Sequence, residues 1–342
     1  MLDARQSAVL DSVIACYSRT AEPVSSKAIV QDYGMGLSAA TIRNTMADLE
    51  ELGYLTHPHT SAGRVPTETG YRLYVDRLMT AAELSAIEKE HIRARFASAN
   101  RQFEEAMEQT SKILSEISQY IGVALSPQLH ESILQRLELI SIDTEHVLAV
   151  LVMASGIVES KRIALPHSHS NASIQQISRI LNEKLAGCSL KEIRSLSQDA
   201  AKMGAVFACN PSAPIAIVAR DTFALEREIY VYIEGASNFF GQPEFGEVGK
   251  IEPLFRTLEK KKQLADTLSR QQPDSGLQVL IGSENQCEGM EMCSVVRAPY
   301  RVRGDQYGTI AVIGPTRMAY ARVVSIVKYT AHVVSQFLEA SL

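Results

Sequence analysis

A hydroxyl, a guanidinium and a carboxamide stand close together in the run Ser38-Ala39-Ala40-Thr41-Ile42-Arg43-Asn44, and these groups suit reading the edges of base pairs. Arg offers two N–H donors that match O6 and N7 of guanine. Asn offers a donor and an acceptor that match N6 and N7 of adenine. To act together they must project from one face of a helix, and the spacing supplies it. Ile42, Met46 and Leu49 recur at i, i+4 and i+7, one apolar stripe of helical period. The opposite face then carries Ala40, Arg43, Asn44 and Ala47, with Thr41 at the edge. Ala40 is small enough for close approach to a groove. Ser38 is placed to cap the helix, with its side-chain oxygen accepting from a free backbone amide, and Gly53 supplies the stop. Thr41 suits a capping turn as well as a contact. An Arg-Asn pair alone is ordinarily a solvated helix surface, so the argument rests on what surrounds it.

The surroundings are specific. Residues 3 to about 19 form an amphipathic helix with Val9, Val13, Ile14 and Tyr17 inward. Pro23 interrupts it. Ser25 caps a short second helix from Lys27 to about Tyr33, and Gly34-Met35-Gly36 turns into Ser38. Helix, short helix, glycine turn, helix is the helix-turn-helix arrangement. Beyond Gly53, residues 54 to 66 alternate loosely around Pro58, Gly63 and Pro66, as a short hairpin does. No acid lies between Gly53 and Thr67. A second polar group gathers there: His57, His59, Thr60, Ser61 and Arg64. The His side chains suit phosphate or loop contacts better than a metal, because no third ligand lies nearby. Arg64, in a Gly-Arg-Val-Pro turn, is expected at the tip of a wing entering a minor groove, with carbonyl capping as its structural alternative. Together these elements predict a winged helix-turn-helix.

The run SAATIRNTMADLEELGYL followed by PHTSAGRVPTETGYRLYVD resembles the N-terminal signature of the heat-inducible transcription repressor family, HrcA. The likeness extends more loosely through RLELISID, ASGIVESKRI, EGASNFFGQPEF, LQVLIGSEN and YGTIAVIGPTRMAYARVVSIVKYTA. It implies a GAF-like domain carrying an inserted dimerisation domain. It also implies double-stranded DNA with a CIRCE-type inverted repeat as operator, a homodimer, and the GroEL chaperonin as the partner that keeps the protein active.

Charge argues the other way. The chain of 342 residues has a formal net charge of −5, and residues 1 to 80 hold seven Lys and Arg against nine Asp and Glu. DNA-binding domains are commonly basic. The acids Asp48, Glu50 and Glu51 are expected at the far end of the reading helix, away from the contact surface. Few phosphate-neutralising groups imply weak non-specific binding, and therefore two heads acting at once on a palindrome. Hydrophobic content of 46% and charged content of 21% suit a soluble globular protein of more than one domain. The longest apolar run, Val147 to Ala154, is far short of a membrane span, and no secretory signal opens the chain. Cys16, Cys188, Cys209, Cys287 and Cys293 form no CxxC pair, which suits a reducing cytoplasm.

Residues 80 to about 121 carry helical stripes, from Leu84, Ile87, Ile92 and Phe96 to Leu114, Ile117 and Ile121, and Ser126-Pro127 ends them. From Arg136 the period becomes that of strands. PHSHSNAS at 166 to 173 resembles a boundary, helices return over 173 to 204, and Pro211 and Pro214 break the chain. Strands resume at 277, 293 and 307, and a last helix has Tyr320, Val323, Val327, Ala331, Val334 and Leu338 on one stripe. The expected class is therefore α+β and multidomain, with an antiparallel sheet interrupted by an insertion. The expected parts are 1–78 winged helix-turn-helix, 79–121 linker helices, 122–165 GAF-like first part, 166–245 inserted dimerisation domain and 246–342 GAF-like second part.

Catalysis has no supporting constellation: no phosphate-binding glycine loop, no nucleophile elbow and no zinc-protease motif. His167 and His169 lack a Cys or carboxylate partner nearby, so no metal is assigned, and no cofactor. Lys260, Lys261 and Lys262 suit a solvated helix face. Tyr230, Tyr232, Phe239 and Phe240 suit a core or dimer interface before a ligand pocket. The expectation is a cytoplasmic, non-enzymatic repressor. Its competitor is a metabolite-responsive winged-helix repressor that uses the GAF-like domain as sensor, and a hydrolase with an accessory DNA-binding head ranks far behind.

Overall fold

A computed structural model describes every residue except 1, 35, 60–61, 98–102, 128–131, 155, 167–168, 208–212, 224–228, 270–275, 303–306 and 342. The chain opens with α1 (Ala4–Thr20), α2 (Ser26–Tyr33) and α3 (Ala39–Glu51). Each begins where a polar side chain accepts from a first-turn amide that lacks a helical partner. Asp3 accepts from Gln6 N, Ser25 from Ala28 N and Ser38 from Thr41 N. Their apolar stripes meet in one core of Val9, Leu10, Val13, Ile14, Ile29, Ile42, Met46 and Leu49. Gly53, at φ +79°, turns the chain out of α3 into an antiparallel hairpin of β1 (Leu55–Thr56) and β2 (Val65–Pro66). A short helix α4 (Glu68–Leu73) follows and runs on into a π-helical turn over Tyr74–Leu78. Tyr71 is buried.

Helices α5 (Ala86–Ala97) and α6 (Phe103–Ser118) fill most of the stretch read as helical. Its end differs. Gln119 takes φ +61°, and Ile121 begins strand β3 (Ile121–Leu125). The spacing from Ile117 to Ile121 imitates a helical stripe, and all of β3 is buried, so no alternation marks it as a strand.

Strands β4 (Leu134–Ser141), β5 (His146–Met153) and β6 (Val158–Ala164) form a separate three-stranded antiparallel sheet in that order. Helices α7 (Asn171–Leu185), α8 (Leu190–Gln198), α9 (Ala200–Phe207) and α10 (Pro214–Phe223) follow, with α7 packed on β4 and α10 on β6. The Asn182 carboxamide accepts from Leu137 N at 2.8 Å and donates to Leu137 O at 2.5 Å, so one side chain satisfies both outward backbone groups of that edge residue. The boundary expected at residue 166 therefore falls inside a structural unit, between β6 and α7. Alternation identifies the faces of a strand and says nothing of its partners, so these strands could not be separated from the later ones by pattern. Pro214, expected as a breaker, is the first residue of α10, where the missing N–H costs no helical bond.

The last unit is a five-stranded antiparallel sheet of order β7 (Val231–Glu234), β3, β10 (Tyr307–Pro315), β9 (Cys293–Arg301) and β8 (Gln278–Ile281). Strand alternation divides its core. Ala124, Val296, Tyr300, Ile310 and Val312 belong to the cluster that includes α6 and α13 (Tyr320–Ser341). Val123, Leu125, Val295, Ala311 and Ile313 pack with Leu254 of α11 (Val248–Glu259) and with Leu264 and Leu268 of α12 (Lys261–Ser269). The expected stripe of α13, Tyr320 to Leu338, is buried throughout. Of the aromatic stripe, Phe239 is core and packs on Phe245, whereas Phe240 is exposed. Among the described residues no helix is long and apolar enough to cross a membrane.

Candidate nucleic-acid interface

Helix α3 presents Ala40, Arg43 and Asn44 to solvent on the face opposite its buried Ile42, Met46 and Leu49. Among the described residues Arg43 and Asn44 have no side-chain hydrogen bond or ion pair, so both are free to meet an external partner. Ser38 and Thr41 are joined instead. Ser38 Oγ accepts from Thr41 N at 3.1 Å and shares a 2.9 Å hydrogen bond with Thr41 Oγ1. Thr41 thereby belongs to the cap, and Ser38 remains exposed at the positive end of the helix dipole. No acid lies in the first turn of α3. A phosphate approaching there meets favourable partial charge and no opposing carboxylate.

The hairpin is fixed to α3 by one carboxylate. Glu50 Oε2 takes the Arg64 guanidinium at 2.6 Å, and Glu50 Oε1 takes His57 Nδ1 in a short contact. The residue after β1 and the residue before β2 are thus both tied to the end of the helix. This corrects the expectation that the acids of α3 lie clear of the candidate contact residues. Asp48 and Glu51 are exposed, but Glu50 faces two of those residues. Arg64 stands at the base of the hairpin and not at its tip. Its backbone exchanges two hydrogen bonds with Val24, 2.8 and 2.9 Å, which adds a third extended segment to the two strands. Gly63 makes this approach possible, since a Cβ there would lie 2.5 Å from Val24 O. The Arg64 side chain is a quarter exposed, with Nε buried and unpartnered among the described residues. His59 is exposed, and Thr60 and Ser61 lie outside the described residues.

The structure therefore brings Ser38, Ala40, Thr41, Arg43 and Asn44 onto one end and face of α3, and sets His57 and Arg64 beside its other end. Glu50 is the residue that pattern reading missed. Its only sequence signal is a carboxylate seven residues before His57 on a different element, which no periodicity relates to it.

Residues 104–324 match the family model described as the HrcA protein C terminal domain. A protein of Pelotomaculum thermopropionicum is 40% identical over 339 residues, 99% of this chain and 97% of the relative. One of Geobacter sulfurreducens is 37% identical over 340 residues, 98% of each. Both bear the name heat-inducible transcription repressor HrcA. The crystal structure of a hypothetical protein at 2.2 Å resolution covers 100% of both chains with a TM-score of 0.62 at 20% identity, which shows a shared fold.

Proposed function

The chain belongs to the HrcA family of heat-inducible transcription repressors, and from that premise we propose that it represses chaperone operons as a cytoplasmic homodimer on the CIRCE inverted repeat. Each N-terminal unit, residues 1–78, acts as a winged helix-turn-helix head on one half-site. The observation that carries this reading is the free pair Arg43 and Asn44 on the exposed face of a capped α3. Arg43 reads guanine and Asn44 adenine in the major groove. Ser38, Ala40 and Thr41 make the close approach, and His57, His59, Thr60, Ser61 and Arg64 supply contacts to the flanking backbone.

The five-stranded sheet with its helices serves as a GAF-like body, and the unit from β4 to α10 is its insertion, placed in sequence between β3 and β7. Dimerisation uses the outer face of the three-stranded sheet. Ile140 pairs across to Leu148, and Val152 to Val158, so apolar side chains run diagonally over that face. Ile140 and Val158 are 52% and 54% exposed, and contiguous exposed apolar surface of this kind marks an interaction site. The GroEL chaperonin maintains the fold of this dimer, and its diversion by heat-damaged proteins releases repression.

The test is anisotropy titration of a labelled CIRCE duplex and of a scrambled duplex of equal length. Preferential binding of CIRCE is expected, with loss on heating and recovery on adding GroEL and ATP. Equal affinity for both duplexes overturns the operator assignment. Recovery by a small-molecule fraction and not by GroEL, with the dimer still folded, moves the switch to a ligand in the GAF-like body.

A further inference from the structure

None of the contacts proposed for operator or dimer uses the segment Ile281–Asn285, yet there the head meets the body. Glu68 and Arg72 lie four residues apart on α4 and so share a face. Glu68 Oε1 accepts from Ser283 N at 3.2 Å, and Oε2 accepts from Ser283 Oγ at 2.6 Å. Arg72 Nε donates to Glu284 Oε1 at 2.9 Å, its Nη2 meets Glu284 Oε2 in a short contact, and the same Nη2 donates to Val279 O at 2.7 Å. The arrangement is reciprocal: a head carboxylate sits on a body amide and hydroxyl, and a body carboxylate sits on a head guanidinium. A planar guanidinium held at two points fixes angle as well as distance.

The body side of this clamp is itself rigid. Glu284 also accepts from Ile281 N at 2.8 Å. Buried Asn285 Nδ2 donates to the carbonyls of Gly282, Met290 and Cys293 at 2.9, 3.3 and 2.7 Å. Gly282 has φ +52°, and a Cβ there would stand 1.9 Å from Glu68 Oε1, so the head carboxylate occupies the space a side chain would need. A second fastening lies at α1. Arg317, 7% exposed, donates from Nη1 to Ser18 O at 2.9 Å, in the last helical turn, where carbonyls lack helical partners. Its Nη2 holds Gln242 Oε1 at 2.9 Å and its Nε the Glu244 carboxylate. Between the two fastenings, the Tyr71 ring packs on Tyr320 with centroids 5.6 Å apart.

We propose that Glu68, Arg72, Glu284 and Arg317 are positioning residues that set the spacing of half-sites the dimer accepts, an inference that rests on the operator reading above. The dimer contact lies in the body, so the separation and relative angle of the two α3 helices depend on how each head is held. Changing the spacer by one base pair moves a half-site along the duplex by about 3.4 Å and rotates it by about 35°. A head fastened at α1 and α4 follows only by breaking a charged hydrogen bond, whereas a loosened head follows freely.

The experiment compares wild type, Glu284→Gln, Arg72→Gln and Arg317→Lys on four duplexes: CIRCE, CIRCE with the spacer lengthened by one or by two base pairs, and a single half-site. Wild type should lose at least about tenfold in affinity for each added base pair, the equivalent of one charged hydrogen bond. Glu284→Gln alters a partly exposed carboxylate and keeps the fold intact. It should bind the three full-length repeats within about threefold of one another, with half-site affinity and melting temperature close to wild type. Arg72→Gln should behave alike, and Arg317→Lys should flatten the profile less. Variants that keep the wild-type ratio between spacings, or that weaken on all four duplexes by one factor, overturn the proposal alone. Absence of CIRCE binding by wild type at every spacing overturns the operator reading and this proposal with it.

Discussion

Replacing Glu50 by Gln should make the head less stable and yet bind DNA with a steeper salt dependence. The stability part follows from the geometry of the pair. Arg64 and Glu50 side chains are 25% and 23% exposed, and their contact is 2.6 Å. Breaking a fully buried ion pair costs about 3–5 kcal/mol, and an exposed pair contributes about 0–1 kcal/mol. Gln keeps one acceptor for Arg64, so the expected loss is about 1–2 kcal/mol, read as an earlier urea transition of the N-terminal unit. The electrostatic part has the opposite sign. Each phosphate neutralised contributes about 0.9 to the slope of log affinity against log salt. The substitution removes one negative charge per head and frees Arg64 and His57, so the slope should steepen by about 0.9 per head, roughly 1.8 per dimer. The assay is titration of a scrambled duplex between about 50 and 200 mM salt, which isolates the sequence-independent term. Loss of stability with an unchanged or shallower slope would refute the reasoning, and Arg64 would then be a strut that never meets phosphate.

Arg43→Ala should leave the melting temperature unchanged, because the side chain is exposed and has no partner among the described residues. It should cost about 1–3 kcal/mol per half-site, roughly twice that for a dimer on CIRCE, with relaxed discrimination at one position per half-site. An equal loss on scrambled DNA would make Arg43 a phosphate contact. Ile140→Asp combined with Val158→Asp places like charges on the outer face of the three-stranded sheet, and should give monomers by sedimentation at micromolar concentration without loss of helical signal. A dimer that survives this double change would move the interface elsewhere.

Local order was legible wherever one side chain or one stripe decides it. Ser25 and Ser38 cap their helices, Gly53 stops α3, and Tyr320 to Leu338 is buried along one stripe. What pattern could not carry was pairing at a distance. β3 is buried on both faces and so loses the alternation that marks a strand. Strand β5 alternates along its length, whereas β9 and most of β10 are buried on both faces, and which strand pairs with which follows only from the register. The same limit applies to the site. The exposed face of α3 follows from period alone, whereas the ties from Glu50 to His57 and Arg64, and from Arg72 to Glu284 at a separation of 212 residues, join elements that no local rule relates.

Such ties also bear on the excess of acids over bases in the N-terminal unit, which the proposed function makes the DNA-binding head. Four of its seven Lys and Arg are ion-paired within the molecule: Arg5 to Asp3, Arg19 to Asp32, Arg64 to Glu50, and Arg72 to Glu284 and Asp76. Little positive charge remains for phosphates, so one head alone binds weakly and with little dependence on salt. On the proposed function affinity then comes from joining two heads, where the second binds at an effective concentration set by the body and not by the bulk. Under the proposed function that gain exists only while the spacing matches the operator, which would make the proposed dimer face and the clamp on α4 as necessary to repression as Arg43 itself. Warming that opens either one returns each head to its weak single-site affinity. On this account heat ends repression through the loss of a geometry, and restoring the fold restores the affinity with no change in any residue that touches DNA.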